Sequence, residues 1–174
     1  EDFVKDETKE IIWTRGTRND LDRNIAYSYD EKSCRIAMYR PFFKQFAYFS
    51  SQCNEYVNQW PKIFPTPQTK NLVICVSGLG GSKEHSVFIS NRIIDLNCLD
   101  SGTQCFPMFY FEKVKQDQPG LFDFEKSDYS RRDGISDFIL ERARALNPKI
   151  TKENIFYYVY GILHNPDYIK RFSA

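Results

Sequence analysis

The spacing of apolar residues changes near Ser136, and this change constrains the fold more than any other feature of the chain. Before it, apolar and aromatic residues form short runs such as NLVICV (71–76), a pattern typical of strands. After it, Ile139, Ala143 and Leu146 follow the spacing of one helix face. Strands first and helices last predict an α+β fold with a mixed, largely antiparallel sheet and a helical C-terminal part.

Individual strands are predicted from short apolar or aromatic runs. In the aromatic-rich stretch RIAMYRPFFKQFAYFSSQ (35–52), Pro41 indicates the end or edge of one strand, and residues 44–50 form a second. The apolar run at 71–76 predicts a central strand. Further strands are expected at 11–13, 86–90 and 104–112.

Helices and connectors are predicted from capping residues and prolines. TRGTRNDLDRN (14–24) predicts a polar turn or helix, and three prolines in PKIFPTPQTK (61–70) indicate an extended connector. A first C-terminal helix is expected from Ser136. Thr151 caps a second, and Asn165-Pro166 opens a third.

The chain has 174 residues, of which 41% are hydrophobic, and this favours one folded domain. We expect it to be excised from a larger polypeptide and to be monomeric in isolation. The predicted organisation is a linker at 1–30, a strand-rich core at 31–112, a surface loop at 113–130 and a helical tail at 131–174.

Charge is small overall but unevenly distributed. The net charge of +1 argues weakly against a free-standing nucleic-acid binder. A low net charge does not count against a module docked inside a larger enzyme, because neighbouring modules can bind the phosphates. Residues 32–54 and 142–152 each contain four basic residues and no acid. Each run is either a phosphate-facing surface or an ordinary solvated face, and the sequence leaves both interpretations open.

The cysteine pattern favours reduced thiols in the cytoplasm. There are five cysteines, an odd number, and no CxxC or CxxH pair. A zinc site is not expected with only His85 and His164 available as histidine ligands. No apolar run approaches the roughly 20 residues that a membrane span requires.

Three catalytic patterns are incomplete. SGLGGSK (77–83) follows a strand, but Ser82 separates Gly81 from Lys83, so the spacing of a phosphate-binding loop fails. Ser77 lacks the first glycine of a G-x-S-x-G nucleophile motif. The triplet ETK (7–9) matches only the last element of a nuclease motif. We therefore predict no catalysis by this chain and no catalytic residue in it.

Motifs along most of the chain carry a family resemblance. YRPF (39–42), SGLG (77–80), CFP (105–107) and IFYYVYGILHNPDY (155–168) are specific as a set. With the segments around them, they resemble the C-terminal specificity domain, or target-recognition domain, of type ISP restriction-modification enzymes, which are often labelled predicted helicases. The matching segments run in order over 13–21, 38–55, 61–67, 71–81, 86–96, 104–112, 131–140 and 150–168.

The resemblance implies a bacterial enzyme built as one long polypeptide. A nuclease, a helicase-type translocase, a coupler and an adenine-N6 methyltransferase would precede this domain. The domain would clasp double-stranded DNA together with the methyltransferase module and read the target site. S-adenosylmethionine, ATP and Mg²⁺ would belong to the other modules, and no cofactor is expected here. The alternative is a non-catalytic interdomain scaffold that docks on the methyltransferase module.

Candidate DNA contacts follow from charge and from the resemblance. Arg40 and Lys44 are predicted as phosphate contacts or framework, because relatives that share YRPF read different sequences. Base readers are expected in the turns at 51–58, 82–85 and 100–102, with Lys83 and His85 as candidates for groove readout. The full predicted set is Arg15, Arg18, Arg40, Lys44, Ser82, Lys83, His85, Arg131 and Arg132.

Overall fold

A computed structural model describes residues 13–78, 84–100, 102–114 and 128–172. Ser82 and Lys83 lie outside the described residues, as do most of the predicted strand at 11–13 and of the loop at 113–130. Trp13, the described end of that predicted strand, is not in a strand. The described part has an α+β fold, so the predicted fold class is confirmed.

The strands of the described part form three small antiparallel sheets. One is a hairpin, the second has three strands with Val73–Val76 in the centre, and the third is another two-stranded ribbon. In chain order the strands are β1 (Cys34–Arg40), β2 (Phe43–Tyr48), β3 (Val73–Val76), β4 (Val87–Ser90), β5 (Gln104–Pro107), β6 (Phe109–Lys113) and β7 (Tyr129–Asp133).

The helices are α1 (Arg15–Asp22), α2 (Trp60–Ile63), α3 (Asp137–Arg144), α4 (Lys152–Leu163) and α5 (Pro166–Phe172). Side-chain caps explain where three of them begin. Thr14 accepts from the Thr17 amide at the start of α1, and Ser136 accepts from Ile139 at the start of α3. Thr151 and Asn154 form a reciprocal capping box at α4. The predicted starts of α3, α4 and α5 are confirmed.

Alternation along β3 separates two apolar cores. Val73 and Cys75 are fully buried against a cluster that includes Met38 of β1, whereas Ile74 packs with Phe156 of α4. Successive side chains of a strand point to opposite faces of the sheet. The β1–β2 hairpin and α4 therefore cover opposite faces of the three-stranded sheet, and the predicted central position of residues 71–76 is confirmed.

Three sequence predictions were wrong in detail. Residues 104–112 are not one strand, because β5 and β6 belong to different sheets and meet at Met108. The amide of Met108 donates to the Leu72 carbonyl, directly after the last β3–β5 pair, Val73 with Pro107. The polar segment YSRRD at 129–133 is strand β7, so the strand-rich part extends past the predicted loop and into the predicted helical tail.

The third wrong prediction concerns the proline-rich connector at 61–70, which begins inside the short helix α2. Pro61 stands in the first turn of that helix. Backbone N–H groups of a first turn have no partner within the helix, so proline, which has no N–H, costs no hydrogen bond there. The stacked rings of Trp60 and Phe64, with centroids 6.0 Å apart, lie at the two ends of the turn. Buried Ile63 and Phe64 anchor the connector in the core.

All five cysteines are free, with Cys34 and Cys53 exposed and Cys75 and Cys98 buried. Among the helices of the described residues, none has the length and apolarity to cross a membrane.

Candidate nucleic-acid interface

The β1–β2 hairpin turns at a strained, aromatic tip. Pro41 precedes Phe42, which has a φ of 65° in the left-handed region that side-chain-bearing residues rarely adopt. Phe42 is 86% exposed and Phe43 is 58% exposed. Two large aromatic side chains therefore stand in solvent at the end of a hairpin whose sequence contains no acid.

Two predicted cations flank this tip. The guanidinium of Arg40 lies 4.1 Å from the centre of the Tyr39 ring and donates to the Tyr39 carbonyl over 2.9 Å. It also lies 3.6 Å from a carboxylate oxygen of Asp95, with both side chains well exposed, so the charge of Arg40 is only weakly compensated. Lys44 pairs with Met38 across the hairpin and is exposed. Both cations are accessible to an anion.

An exposed apolar pair lies next to Lys44 on the same hairpin. Ile36 and Phe46 are direct cross-strand partners, and Phe46 is 86% exposed. Phe46 stands two residues after Lys44 on β2, so both side chains share one face of the hairpin. A cation beside exposed aromatic surface is an arrangement that suits the phosphates and sugars of nucleic acid.

His85 contacts the helical side of the domain. Its Nε2 atom lies 3.2 Å from the carbonyl oxygen of Leu163, near the end of α4. Because a carbonyl only accepts, Nε2 carries the proton in this contact. The half-buried ring is thereby held against α4, and only its other nitrogen remains for a ligand. Groove readout by His85 stays a prediction.

The remaining predicted cations lie on two other elements. The Arg131 guanidinium stands 4.4 Å from the centre of the Phe109 ring, and Arg132 forms a 2.8 Å ion pair with Glu112. Both are exposed on β7. Arg15 and Arg18 are exposed on α1.

Of the turns predicted to read bases, the one at 51–58 is described in full and the one at 100–102 in part. In the first, the Asn54 side-chain amide donates to the carbonyls of Tyr48 and Ser50, both over 2.9 Å, and this holds the turn against β2. Tyr56 in the same turn is 79% exposed and lines a cleft of about 450 Å³ with Asn58. In the second turn, Gly102 has a φ of 69° and is exposed.

A family model for the Type ISP C-terminal specificity domain matches residues 1–174. The chain belongs to this family. No curated protein matches the specificity domain. Solved structures do match, and they are large enzymes of which this domain spans only 10–15% of the length.

Three solved structures resemble the specificity domain over nearly its whole length. The DNA-bound Type ISP restriction-modification enzyme LlaBIII is 28% identical over 92% of the domain, with a TM-score of 0.76, and 10% of that chain is covered. A DrdV–DNA complex solved by cryo-EM is 30% identical over 95%, with a TM-score of 0.79 and 15% of that chain covered. A nuclease-deletion mutant of LlaGI with a DNA substrate mimic is 27% identical over 99%, with a TM-score of 0.74 and 14% of that chain covered.

The specificity domain does not gather all its predicted site residues in one place. Arg40 and Lys44 share the β1–β2 hairpin. His85 contacts α4, and Arg131 stacks on Phe109, which packs in the same core as Phe156 of α4. The hairpin cations and the other two therefore lie on opposite sides of the three-stranded sheet.

Two further arginines of the specificity domain were not selected from the sequence. Arg35 of β1 and Arg92 after β4 line the same cavity beneath the hairpin. The sequence does mark Arg35 as unusual. It stands two residues before buried Ala37 and so shares the inward face of the strand, where arginine is rare. No comparable pattern marks Arg92, which lies in the bend directly after β4. Among the described residues, no group of three or more His, Cys, Asp or Glu side chains is placed to hold a metal ion.

Proposed function

We propose that this specificity domain recognises the DNA target site of a larger Type ISP restriction-modification polypeptide and catalyses no reaction itself. The observation that carries the proposal is the match to three enzyme structures solved with DNA or a DNA mimic, each over 92% or more of this chain. The exposed cations and aromatic residues of the β1–β2 hairpin support it independently.

In this proposal the hairpin contacts the DNA backbone, and turns of the domain contact the bases. Arg40 and Lys44 contact phosphates, which position the protein but carry no sequence information. The turn at 51–58 presents polar and aromatic side chains at a cleft beside the hairpin, where base edges are accessible to them. The turns at 82–85 and 100–102 stay proposed readers, and His85 of the former contacts α4, on the side of the three-stranded sheet away from the hairpin.

Catalysis belongs, in the same proposal, to modules outside this chain. Nuclease, translocase and adenine methyltransferase activities would use Mg²⁺, ATP and S-adenosylmethionine bound elsewhere in a cytoplasmic bacterial enzyme. The three incomplete motifs of the sequence support this division. Binding energy from the specificity domain would then position a target base for the methyltransferase module.

One observation favours a second role as a scaffold. The outer surfaces of α3 and α4 and the turn between them expose large apolar residues, among them Phe138 at 61%, Leu146 at 88% and Tyr158 at 69%. Exposed apolar surface on helices is typical of a docking face. We propose that this side contacts the methyltransferase module while the hairpin side faces DNA.

Paired variants of the complete enzyme separate the two roles. Combined Arg40→Ala and Lys44→Ala should weaken binding of all duplexes in fluorescence anisotropy, while Tyr158→Ala, on the opposite side, should leave DNA affinity nearly unchanged. If Tyr158→Ala weakened DNA binding and the double variant did not, the scaffold role would be favoured and the hairpin would not be the DNA-binding side.

A further inference from the structure

Arg35 and Arg92 line a cavity of about 280 Å³ between the β1–β2 hairpin and the connector at 64–69. Thr66 and Thr69 line it as well, and no Asp or Glu among the described residues does. A lining with two guanidinium groups and no carboxylate is positively charged, and an anion is the complementary ligand.

Three guanidinium nitrogens of these two arginines lack a protein acceptor. Nε and Nη1 of Arg35 and Nε of Arg92 are buried, and no hydrogen-bond acceptor in the described part of the chain reaches them. Arginine stays protonated under all ordinary conditions, so the donors remain charged. Buried charged donors without acceptors are unfavourable, and an anion bound in the cavity that both arginines line would lower this cost.

The protein holds the Arg35 guanidinium and the Arg92 backbone in position. Nη2 of Arg35 donates to the carbonyl of Pro65 over 3.1 Å, which leaves its other two nitrogens available. The buried Ser90 hydroxyl accepts from the Arg92 amide over 3.1 Å and donates to the Arg92 carbonyl over 3.0 Å. A site whose donors are fixed in advance loses less entropy when it binds a ligand.

Asp30 and Tyr129 act electrostatically on Arg35, and Asp30 is the carboxylate of the two. Its charge favours the protonated form of Arg35, but burial is the larger influence and lowers the pKa of Arg35. The oxygens of Asp30 accept from the Lys32 amide over 3.0 Å and from the Ser33 hydroxyl over 3.3 Å. Asp30 lines a second cavity together with Arg35, and it does not line the two-arginine cavity.

The threonine pair adds a neutral donor. The Thr66 and Thr69 hydroxyl oxygens lie 2.9 Å apart, and the Thr69 oxygen also accepts from the Thr66 amide over 3.1 Å. One hydroxyl hydrogen is used within the pair, so the other remains free to donate. Charged planar donors combined with a hydroxyl suit the several oxygens of a phosphate group.

We infer that this cavity binds a phosphate group, and that the group is a backbone phosphate of the DNA held by the domain. The second part of the inference rests on the proposed function. Exposed Phe46 lines the cavity, and Lys44 lies on the same hairpin face. A DNA strand gripped by Lys44 therefore passes the cavity, and Phe46 meets its sugar or base surface.

The test uses the nitrogen-bound protons of the arginines themselves. In ¹H–¹⁵N spectra of the 174-residue chain, titration with inorganic phosphate should shift the Nε–Hε signals of Arg35 and Arg92 to saturation. Sodium chloride at equal ionic strength should leave them in place. A short duplex should move the same two signals and prevent the phosphate-dependent shift.

Two single-residue variants test how much the cavity contributes to affinity for phosphate and for duplex DNA. Arg92→Gln should abolish the phosphate response, weaken duplex binding several-fold in fluorescence anisotropy and reduce the salt dependence by about one phosphate contact. Arg142→Gln removes the same charge from α3 and should change neither. Arg35 donates a hydrogen bond to Pro65, so replacing Arg35 risks misfolding. For Arg35 the test is therefore its Nε–Hε signal in the wild-type spectra.

The outcomes are distinguishable. Arginine signals that ignore both phosphate and DNA, in a chain that still binds DNA, would overturn the inference and leave the proposed function intact. Signals that respond to phosphate while bound DNA leaves them unmoved would overturn the assignment to a DNA phosphate. A response to phosphate in a chain that binds no duplex would support the anion site and contradict the proposed function.

Discussion

The Nζ atom of Lys152, at the start of α4, lies 2.7 Å from a carboxylate oxygen of Asp133, the last residue of β7. The same nitrogen lies 2.6 Å from Asp137 in the first turn of α3. One lysine therefore ties a strand and two helices together at the point where the chain passes from its strands to its helical part. Hydrogen bonds to both acids raise the pKa of Lys152, and the bond from Lys152 lowers the pKa of Asp137.

Replacing Lys152 should destabilise the domain in a pH-dependent way. Because the folded-state pKa of Asp137 is depressed, its stabilising contribution is present above the unfolded-state pKa and is lost as pH falls through the folded value. Lys152→Met should therefore lower the melting temperature at neutral pH, and the difference from wild type should shrink below about pH 3.9, the ordinary aspartate value. Thermal unfolding by circular dichroism measures both. Lys149→Met, an exposed neighbour, should change little at either pH, and an equal loss at every pH would contradict the ion-pair explanation.

Two glycines should respond to alanine in opposite directions. A Cβ at Gly134 would stand 2.1 Å from the carbonyl oxygen of Pro107, a backbone atom that has no room to move. Gly134→Ala should destabilise the domain by about 1–3 kcal/mol. Gly161, inside α4, has open space at its Cβ position, and Gly161→Ala should stabilise by about 0.5–1 kcal/mol. Urea unfolding of both variants is the measurement, and stabilisation by both would show that Gly134 is not tightly packed.

The five thiols should react with disulfide reagents in distinct classes. Cys34 and Cys53 are exposed and should react rapidly in the native protein. A hydrogen bond with Cys105, together with burial, raises the pKa of Cys75, and burial raises that of Cys98 to about 11. Both buried thiols should therefore react only on unfolding. Counting reacted thiols with and without denaturant tests this, and Cys34→Ser should remove one fast-reacting group.

The hairpin cations should bind DNA without reading its sequence. Arg40→Ala or Lys44→Ala in the complete enzyme should weaken cognate and variant duplexes alike and make the dependence of log K on log salt shallower by about one. Fluorescence anisotropy at several salt concentrations measures both effects. A change of base preference in Arg40→Ala would assign Arg40 to base readout instead of phosphate contact.

Lys83 should behave in the opposite manner. Lys83→Ala is expected to relax discrimination at one base pair by about 1–3 kcal/mol, because a single good base contact contributes that much. Competition between the cognate duplex and single-base variants measures the change. Uniform weakening of every duplex would place Lys83 among the phosphate contacts.

Much of the architecture was predictable because local patterns and tertiary packing agree. The run at 71–76 is apolar on both faces, and β3 is buried from both sides, against the hairpin and against α4. Three helices begin through local contacts that do not depend on distant residues. The side chains of Ser136 and Thr151 cap α3 and α4, and Asn165-Pro166 begins α5. The family resemblance carried by YRPF and the 155–168 motif was likewise confirmed.

The candidate site was less predictable, because it depends on where elements meet. Arg35 and Arg92 are far apart in the chain and share a cavity only after the hairpin packs on the three-stranded sheet. The sequence around His85 does not predict its contact with Leu163, which lies 78 positions away in the chain. Strand β7 has no apolar alternation and is a strand only because β6 offers it backbone partners.

The sequence by itself determined the class of each well-patterned segment, the order of strands and helices and the family, because caps, prolines and periodicity act over a few neighbouring residues. Only the tertiary structure decided which face each cation occupies and which donors are left without acceptors. Both depend on burial, and burial is set by contacts between residues distant in the chain. Two arginines of the same acid-poor hairpin show the difference. Arg40 stands in solvent beside Asp95, and Arg35 turns inward to a cavity it shares with Arg92.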